Sequence, residues 1–256
     1  KDITLNAQSI PARDGDTLTL PQDGLYTLIV TVEDGAGHPA AAASVFTLDR
    51  QGPSLSASIS PLTNGYTNDS TPVLNYATSG AIREILADGT ALLPIPSSGT
   101  PLPLLSDNAH TVVVTAEKSA GTGFNLTTVT LSFTVDTSAP ALVITSPQDG
   151  AIVSVSPIQV DYTKDGSPKS KNFSLAEGPN TLTVTEQDLA GNSSSATLTV
   201  TLDTTAPQVT IASPPDQSVT NNPSPLLSYS VQDATPVTIK DITLNAQSIP
   251  ARDGDT

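Results

Sequence analysis

The 256-residue chain contains no cysteine, no methionine and no tryptophan. That excludes a disulfide framework, thiol chemistry and any cysteine-based zinc site. Aromatic residues make up 4% and charged residues 14% of the sequence. Acidic side chains outnumber basic ones, 25 to 10, giving a formal charge of −15 that would repel the phosphates of nucleic acid. No apolar run approaches the roughly 18 residues of a membrane-spanning helix, and no basic, hydrophobic signal segment opens the sequence. A secreted protein of this sequence would carry its targeting signal outside these residues.

The materials for catalysis are also sparse. His38 and His110 are the only histidines. Ser106, Asp107 and His110 hold the letters of a triad, but they crowd into one short loop that does not allow an in-line relay. There is no GxSxG elbow, no phosphate-binding glycine loop, and around Asp14 and Asp16 no calcium loop of EF-hand length. The sequence is read as that of a non-enzyme.

Threonine, serine, valine and proline are plentiful, and they are patterned. Residues 181–207 read as a strand from Thr181 to Gln187, a turn on Asp188, Gly191 and Asn192, and a second strand from Ala196 to Leu202. Leu182 and Val184, then Leu198, Val200 and Leu202, alternate with polar residues, so each strand has one apolar and one wet face. The unit recurs at Leu25–Pro53 and at His110–Pro140. Each copy closes on an aspartate, Asp49, Asp136 or Asp203, with a proline four residues on.

This threefold recurrence resembles the bacterial immunoglobulin-like repeats of large surface proteins and adhesins, whose last two strands have this form. The resemblance implies an all-β fold of tandem immunoglobulin-like β-sandwich domains in an extended repeat array. It implies no single function, because such modules serve as spacer, stalk or binding tip.

Residues 1–17, KDITLNAQSIPARDGDT, recur without change at 240–256, a period of 239. The closing aspartates divide that period into steps of 87, 67 and, on wrapping round, 85 residues, each about one immunoglobulin-like domain. The expected domains are therefore 51–136, a short one at 137–203, and one split between 204–256 and 1–50. In the split domain Gln208–Ala212, Leu226–Val231 and Val237–Asn245 would be strands A, B and C, and residues 1–50 would supply C onward. Neither half can bury its core alone. Either the polypeptide continues through many periods, which is the preferred reading, or separate subunits complement each other; an engineered or processed fragment is a third possibility. The expected partners are thus further copies of the same repeat.

Within 51–136, Leu74 and Tyr76 share one face of strand B, as do Ile158, Val160 and Tyr162 in the third domain and Leu227, Tyr229 and Val231 in the split one. These are read as core. Between them and His110 the segment 92–105 is interrupted by Pro94, Pro96, Pro101 and Pro103, which forbid a central strand. It is either a loop folded over its own sandwich or a self-association surface formed by Leu92, Leu93, Ile95, Leu102, Leu104 and Leu105. Lys164, Lys169 and Lys171 read as a solvated loop. The sequons at Asn68, Asn125, Asn172 and Asn192 are incidental in a Ser/Thr-rich bacterial sequence.

Carboxylates concentrate where domains would meet. The second joint would gather Asp136, Asp165 and Asp188; the third would gather Asp203, Asp233 and Asp34 of a following period. Such sets suit Ca²⁺, a hard ion taking six to eight oxygens, and the resemblance implies calcium-rigidified joints. The bland alternative is that these residues only cap backbone amides in Asx turns. At the first joint Asp49 would face Glu117, Lys118 and Ser119, and a lysine there speaks against a cation.

The functional expectation is a stalk or fibre segment on a bacterial cell surface, each domain roughly 25–35 Å long. The alternative is a recognition module for a glycan or protein on another surface, against which the scarcity of aromatic residues stands.

Overall fold

A computed structural model describes residues 2–121 and 123–249. All the regular structure in it is β, and the chain divides into two compact units, Lys1–Thr137 and Ser138–Thr256.

The first unit opens with a single four-stranded sheet built from β1 (Asp2–Leu5), β2 (Gln8–Ser9), β3 (Gly24–Glu33) and β4 (Pro39–Leu48), in the order β2-β1-β3-β4. Asn6 and Ala7, both with positive φ, form the two-residue turn between β1 and β2, as the right-handed twist of a hairpin requires. Tyr26 stacks on Phe46 across β3 and β4 and donates its hydroxyl to the Gln22 carbonyl at 2.6 Å.

A complete sandwich follows. Its strands are β5 (Leu55–Ser60), β6 (Tyr66–Thr67), β7 (Val73–Thr78), β8 (Ala81–Ala87), β9 (Thr90–Ala91), β10 (Thr100–Pro101), β11 (Asn108–Ala120) and β12 (Gly123–Val135). One sheet runs β10-β7-β5, the other β6-β12-β11-β8-β9. Strand β6 pairs parallel with β12; the other pairings are antiparallel. Ile59 and Leu74 from the first sheet, with Leu102 just after β10, meet Ile85, Val112, Val114, Phe133 and Val135 from the second. This is the two-layer arrangement of an immunoglobulin-like domain.

The second unit begins with a leaner sandwich. Strands β13 (Leu142–Ser146), β15 (Ile158–Lys164) and β16 (Ser167–Phe173) form one sheet, and β14 (Ala151–Val153), β17 (Gly178–Gln187) and β18 (Ser193–Leu202) the other. Leu182↔Leu198 and Val184↔Ala196 face each other across the hairpin whose alternation the sequence displays. Asp165 and Gly166, at φ +50° and +76°, turn β15 straight back onto β16 within one sheet. No counterpart of β8 follows β15, which accounts for the short step of 67 residues.

The remainder of this unit holds β19 (Gln208–Ser213) paired with β20 (Ser228–Gln232), and β21 (Ile242–Leu244) paired with β22 (Gln247–Ile249). The expected strand over Val237–Asn245 is thus confined to Ile242–Leu244, because no neighbour there offers the longer ladder a partner. The β21–β22 hairpin reproduces β1–β2, register for register: Thr243↔Ser248 matches Thr4↔Ser9, and Leu244↔Gln247 matches Leu5↔Gln8.

Three equivalent positions show how complete each module is. Leu74 and Val160 are 0% exposed, whereas Leu227 is 42% exposed. The sequence places all three two residues before a strand tyrosine, but only the first two have a second sheet over them. Leu74→Ala is therefore expected to cost about 2–5 kcal/mol in its sandwich, the range for a large-to-small change in a closed core. Leu227→Ala should cost well under half of that. Urea denaturation followed domain by domain checks the contrast.

Candidate functional sites at the closing aspartates and the proline-rich loop

At the first joint Asp49 directly follows β4, and its carboxylate meets the Lys118 ammonium at 2.7 Å. The hydrogen bond from Lys118, with the Gln51 amide second, holds the Asp49 carboxyl below its ordinary range. Asn125 donates its side-chain amide to the Asp49 carbonyl at 2.8 Å. Sequence reasoning put Asp49 opposite Lys118, and a lysine ammonium supplies the positive charge at this joint.

The backbone is tightly packed beside that pair. A Cβ on Gly52 would come within 2.6 Å of the Leu126 carbonyl oxygen, and one on Gly80 within 2.9 Å of the Pro53 Cβ. The Ser79 amide donates to Ser54 O at 3.1 Å, while the Ser54 amide donates to Ser79 Oγ at 3.0 Å. The joint is thus a close backbone seam with one exposed ion pair, and such pairs contribute about 0–1 kcal/mol.

Asp203, which follows β18, holds hydroxyls instead of an ammonium. It accepts from Thr235 Oγ1 at 2.5 Å and from Thr205 Oγ1 at 2.9 Å, and these bonds lower its carboxyl's affinity for a proton. Asp233 accepts from the Ala234 amide at 2.8 Å. Asp165 accepts from the Ala141 amide at 2.8 Å, and the Asp136 amide donates to Thr67 O.

Asp34 and Asp188 occupy the same place in two equivalent turns. The backbone amide of each donates across the turn, Asp34 to His38 O and Asp188 to Asn192 O. Asp34 Oδ1 also accepts the Ala36 and His38 amides, and its other oxygen lies 3.0 Å from His38 Nδ1. Asp188 accepts from the Asn192 amide and side chain. Burial works to raise the Asp188 carboxyl, but the Asn192, Gly191 and Ala190 donors outweigh it and the group is held low.

Of the six carboxylates expected to bind calcium, Asp34 and Asp136 belong to the first unit, and Asp165, Asp188, Asp203 and Asp233 to the second. Among the described residues no three of His, Cys, Asp and Glu gather into a set able to hold a metal ion. Asp34, Asp165, Asp188, Asp203 and Asp233 are engaged with turn amides or hydroxyls, the Asx chemistry considered as the alternative.

The proline-rich segment 92–105 divides its apolar residues. Leu102 is in the closed core, and Leu92 and Leu105 pack against it. Leu93 and Leu104 are 80% and 79% exposed, and Ile95 is partly exposed. Thr100 and Pro101 form the short edge strand β10 on β7, where a missing amide is tolerated. Tyr76 sends its hydroxyl to the Pro96 carbonyl at 2.8 Å, which ties the segment to its own sandwich.

His110 is a site that sequence spacing does not reveal, because its partner lies 22 residues earlier. The imidazole is buried at 8% exposure, with Nδ1 2.7 Å from Asp88 and Nε2 2.8 Å from the Ser106 carbonyl. A carboxylate and a carbonyl on opposite nitrogens favour the doubly protonated ring. Burial opposes that charge, yet the Ser106 carbonyl and Asp88 prevail and the histidine's affinity for a proton is raised. Asp107, the third triad letter, instead accepts from Thr137 N and Oγ1. These contacts tie the 106–110 segment to Asp88 on one side and to Thr137 on the other.

A family model described as glucodextranase, domain B, matches residues 151–204, which contain β14 to β18. That family has an immunoglobulin-like fold, in agreement with the sandwich seen there. No curated protein matches the chain. A solved structure described as a Ca²⁺-stabilized adhesin that helps an Antarctic bacterium reach out and bind ice is 17% identical, with 73% of this chain and 59% of that one covered. The present chain therefore spans less than two thirds of that protein's length. The TM-score is 0.28, too low to support an argument about either fold or function.

Two outcomes follow from these geometries. Raising pH from below the ordinary histidine value of 6.5 through the higher folded-state value should remove the His110 contribution to stability. Melting of the 55–135 sandwich should fall across that window, and His110→Gln should flatten the dependence. At the first joint Gly52→Ala should open the seam and speed proteolysis near Gln51 several-fold, while Lys118→Ala should shift stability by less than about 1 kcal/mol.

Proposed function

We propose that this chain is a structural segment of a large extracellular bacterial surface protein, in which serial immunoglobulin-like sandwiches form a stalk. The observation that carries this reading is the 239-residue period. Both copies of its shared sequence hold the same hairpin, and the single sheet over residues 2–48 and the two strand pairs over 208–249 suit complementary halves of one sandwich. A repeat that would close with the next repeat suits a long serial structure better than an isolated recognition domain. Strand-following aspartates tied into the neighbouring module at Lys118 and at Thr235 support short, restrained joints.

Calcium is the finer element of the proposal. Its donors would be Asp136, Asp165 and Asp188 at the second joint, and Asp203, Asp233 and a following period's Asp34 at the third. An ion would have to exchange with the amides and hydroxyls that occupy several of these carboxylates now. Six to eight oxygens would be needed, so waters and backbone carbonyls would complete each site.

Small-angle scattering of the chain with calcium and with a chelator tests the stalk and the ion separately. The stalk reading expects an elongated particle on the order of 100 Å, three sandwich lengths in line; a compact particle would contradict it. The calcium reading expects chelation to increase bending at the second and third joints and not at the first. Equal stiffness in both buffers would remove calcium from the account and leave the stalk standing.

A further inference from the structure

Two strands in residues 204–249 lack a neighbour that their counterparts possess. In the complete sandwiches the second strand is paired on both sides, β7 by β5 and β10, and β15 by β13 and β16. Among the described residues strand β20 is paired by β19 alone. Likewise β8 lies between β9 and β11, and β1 between β2 and β3, whereas among the described residues β21 has only β22.

Between these two open edges lies an apolar cleft of about 380 Å³, lined by Val209, Ile211, Leu227, Tyr229, Val231 and Ile242. Val209 and Ile211 are 64% and 60% exposed. The corresponding Leu142 and Ile144 of the third domain pack against a closed core.

The geometry points to a second copy of this chain's own residues 17–48 as the occupant of that cleft. The proposal rests on the repeat reading above, and it specifies which surface the next copy covers and in what register. Two features single out this occupant.

First, β21 has the sequence of β1, and β1 already shows its partner: Ile3↔Val30, Thr4↔Ile29 and Leu5↔Leu28. The same register on the repeated hairpin sets Ile242 opposite Val30, Thr243 opposite Ile29 and Leu244 opposite Leu28 of the second copy. Second, Thr17, Leu18, Thr19 and Leu20 alternate polar and apolar, yet are in no strand here. They precede β3 as β10 precedes β11, and so supply the missing neighbour of β20. One continuous segment satisfies both edges, and Leu28 and Val30, the counterparts of buried Val112 and Val114, come to face Val209, Ile211 and Leu227.

The test compares the chain with a version extended after Thr256 by a second copy of residues 18–50, using amide hydrogen exchange. In the extended chain the amides of Leu227–Val231 and Ile242–Leu244 should slow by about 100-fold or more, the protection of a closed sheet. Ile211→Asp in that chain should abolish the gain while leaving exchange in β11 and β12 unchanged. Unaltered exchange on extension would overturn the proposal, as would slowing that Ile211→Asp leaves intact. A compact particle in the scattering experiment would sink the stalk reading without touching this result.

Discussion

A β-sheet with one apolar face is stable only when that face is covered and its inner strands are paired on both edges. This constraint organises the whole chain. Residues 55–135 and 142–202 meet it from within, by folding a second sheet over the first. Residues 2–48 and 208–249 hold one sheet and two isolated strand pairs, and their apolar positions stay partly open. Fully burying a Val, Leu or Ile side chain is worth about 1.5–3 kcal/mol, so covering Val209, Ile211 and Leu227 would stabilise the closed module by several kcal/mol.

The joints are a second consequence of the same geometry. Each closing aspartate stands where the last strand leaves a sandwich, with its backbone already committed. What its side chain meets differs at each place: a lysine at Asp49, threonine hydroxyls at Asp203. The chain thus uses one position with different partners, and where Gly52 and Gly80 allow it, backbone packs directly on backbone. A seam of that kind limits bending through steric contact, so the charge beside it need contribute little.

The parts of this architecture that were legible in the sequence are those with a short period. Alternation at Leu182 and Val184 or at Leu198 and Val200 exposes the hairpins. Beyond these, the identity of residues 1–17 with 240–256 shows that one hairpin, β1–β2, occurs again as β21–β22. The meeting of Asp49 with Lys118 could be placed because the strands on both sides were already fixed. Other features depend on distant contacts and leave no local trace. Strand β16, Ser167–Phe173, is polar almost throughout, so nothing in its pattern announces a return within the same sheet. Four prolines mark 92–105 as irregular but do not tell that Leu102 turns inward while Leu104 turns out. The clamp on His110 needs Asp88, which reaches it only through the pairing of β8 with β11.

The central claim is that Leu227 lies in a core that the next copy of the repeat completes. Because the chain has no cysteine, a single Leu227→Cys substitution in the first of two consecutive 239-residue periods gives an unambiguous probe. Its rate of thiol labelling under native conditions, measured against Leu74→Cys as the enclosed reference, is the most direct test. The account predicts that both thiols resist the reagent alike; rapid labelling at position 227 beside a protected position 74 would contradict it.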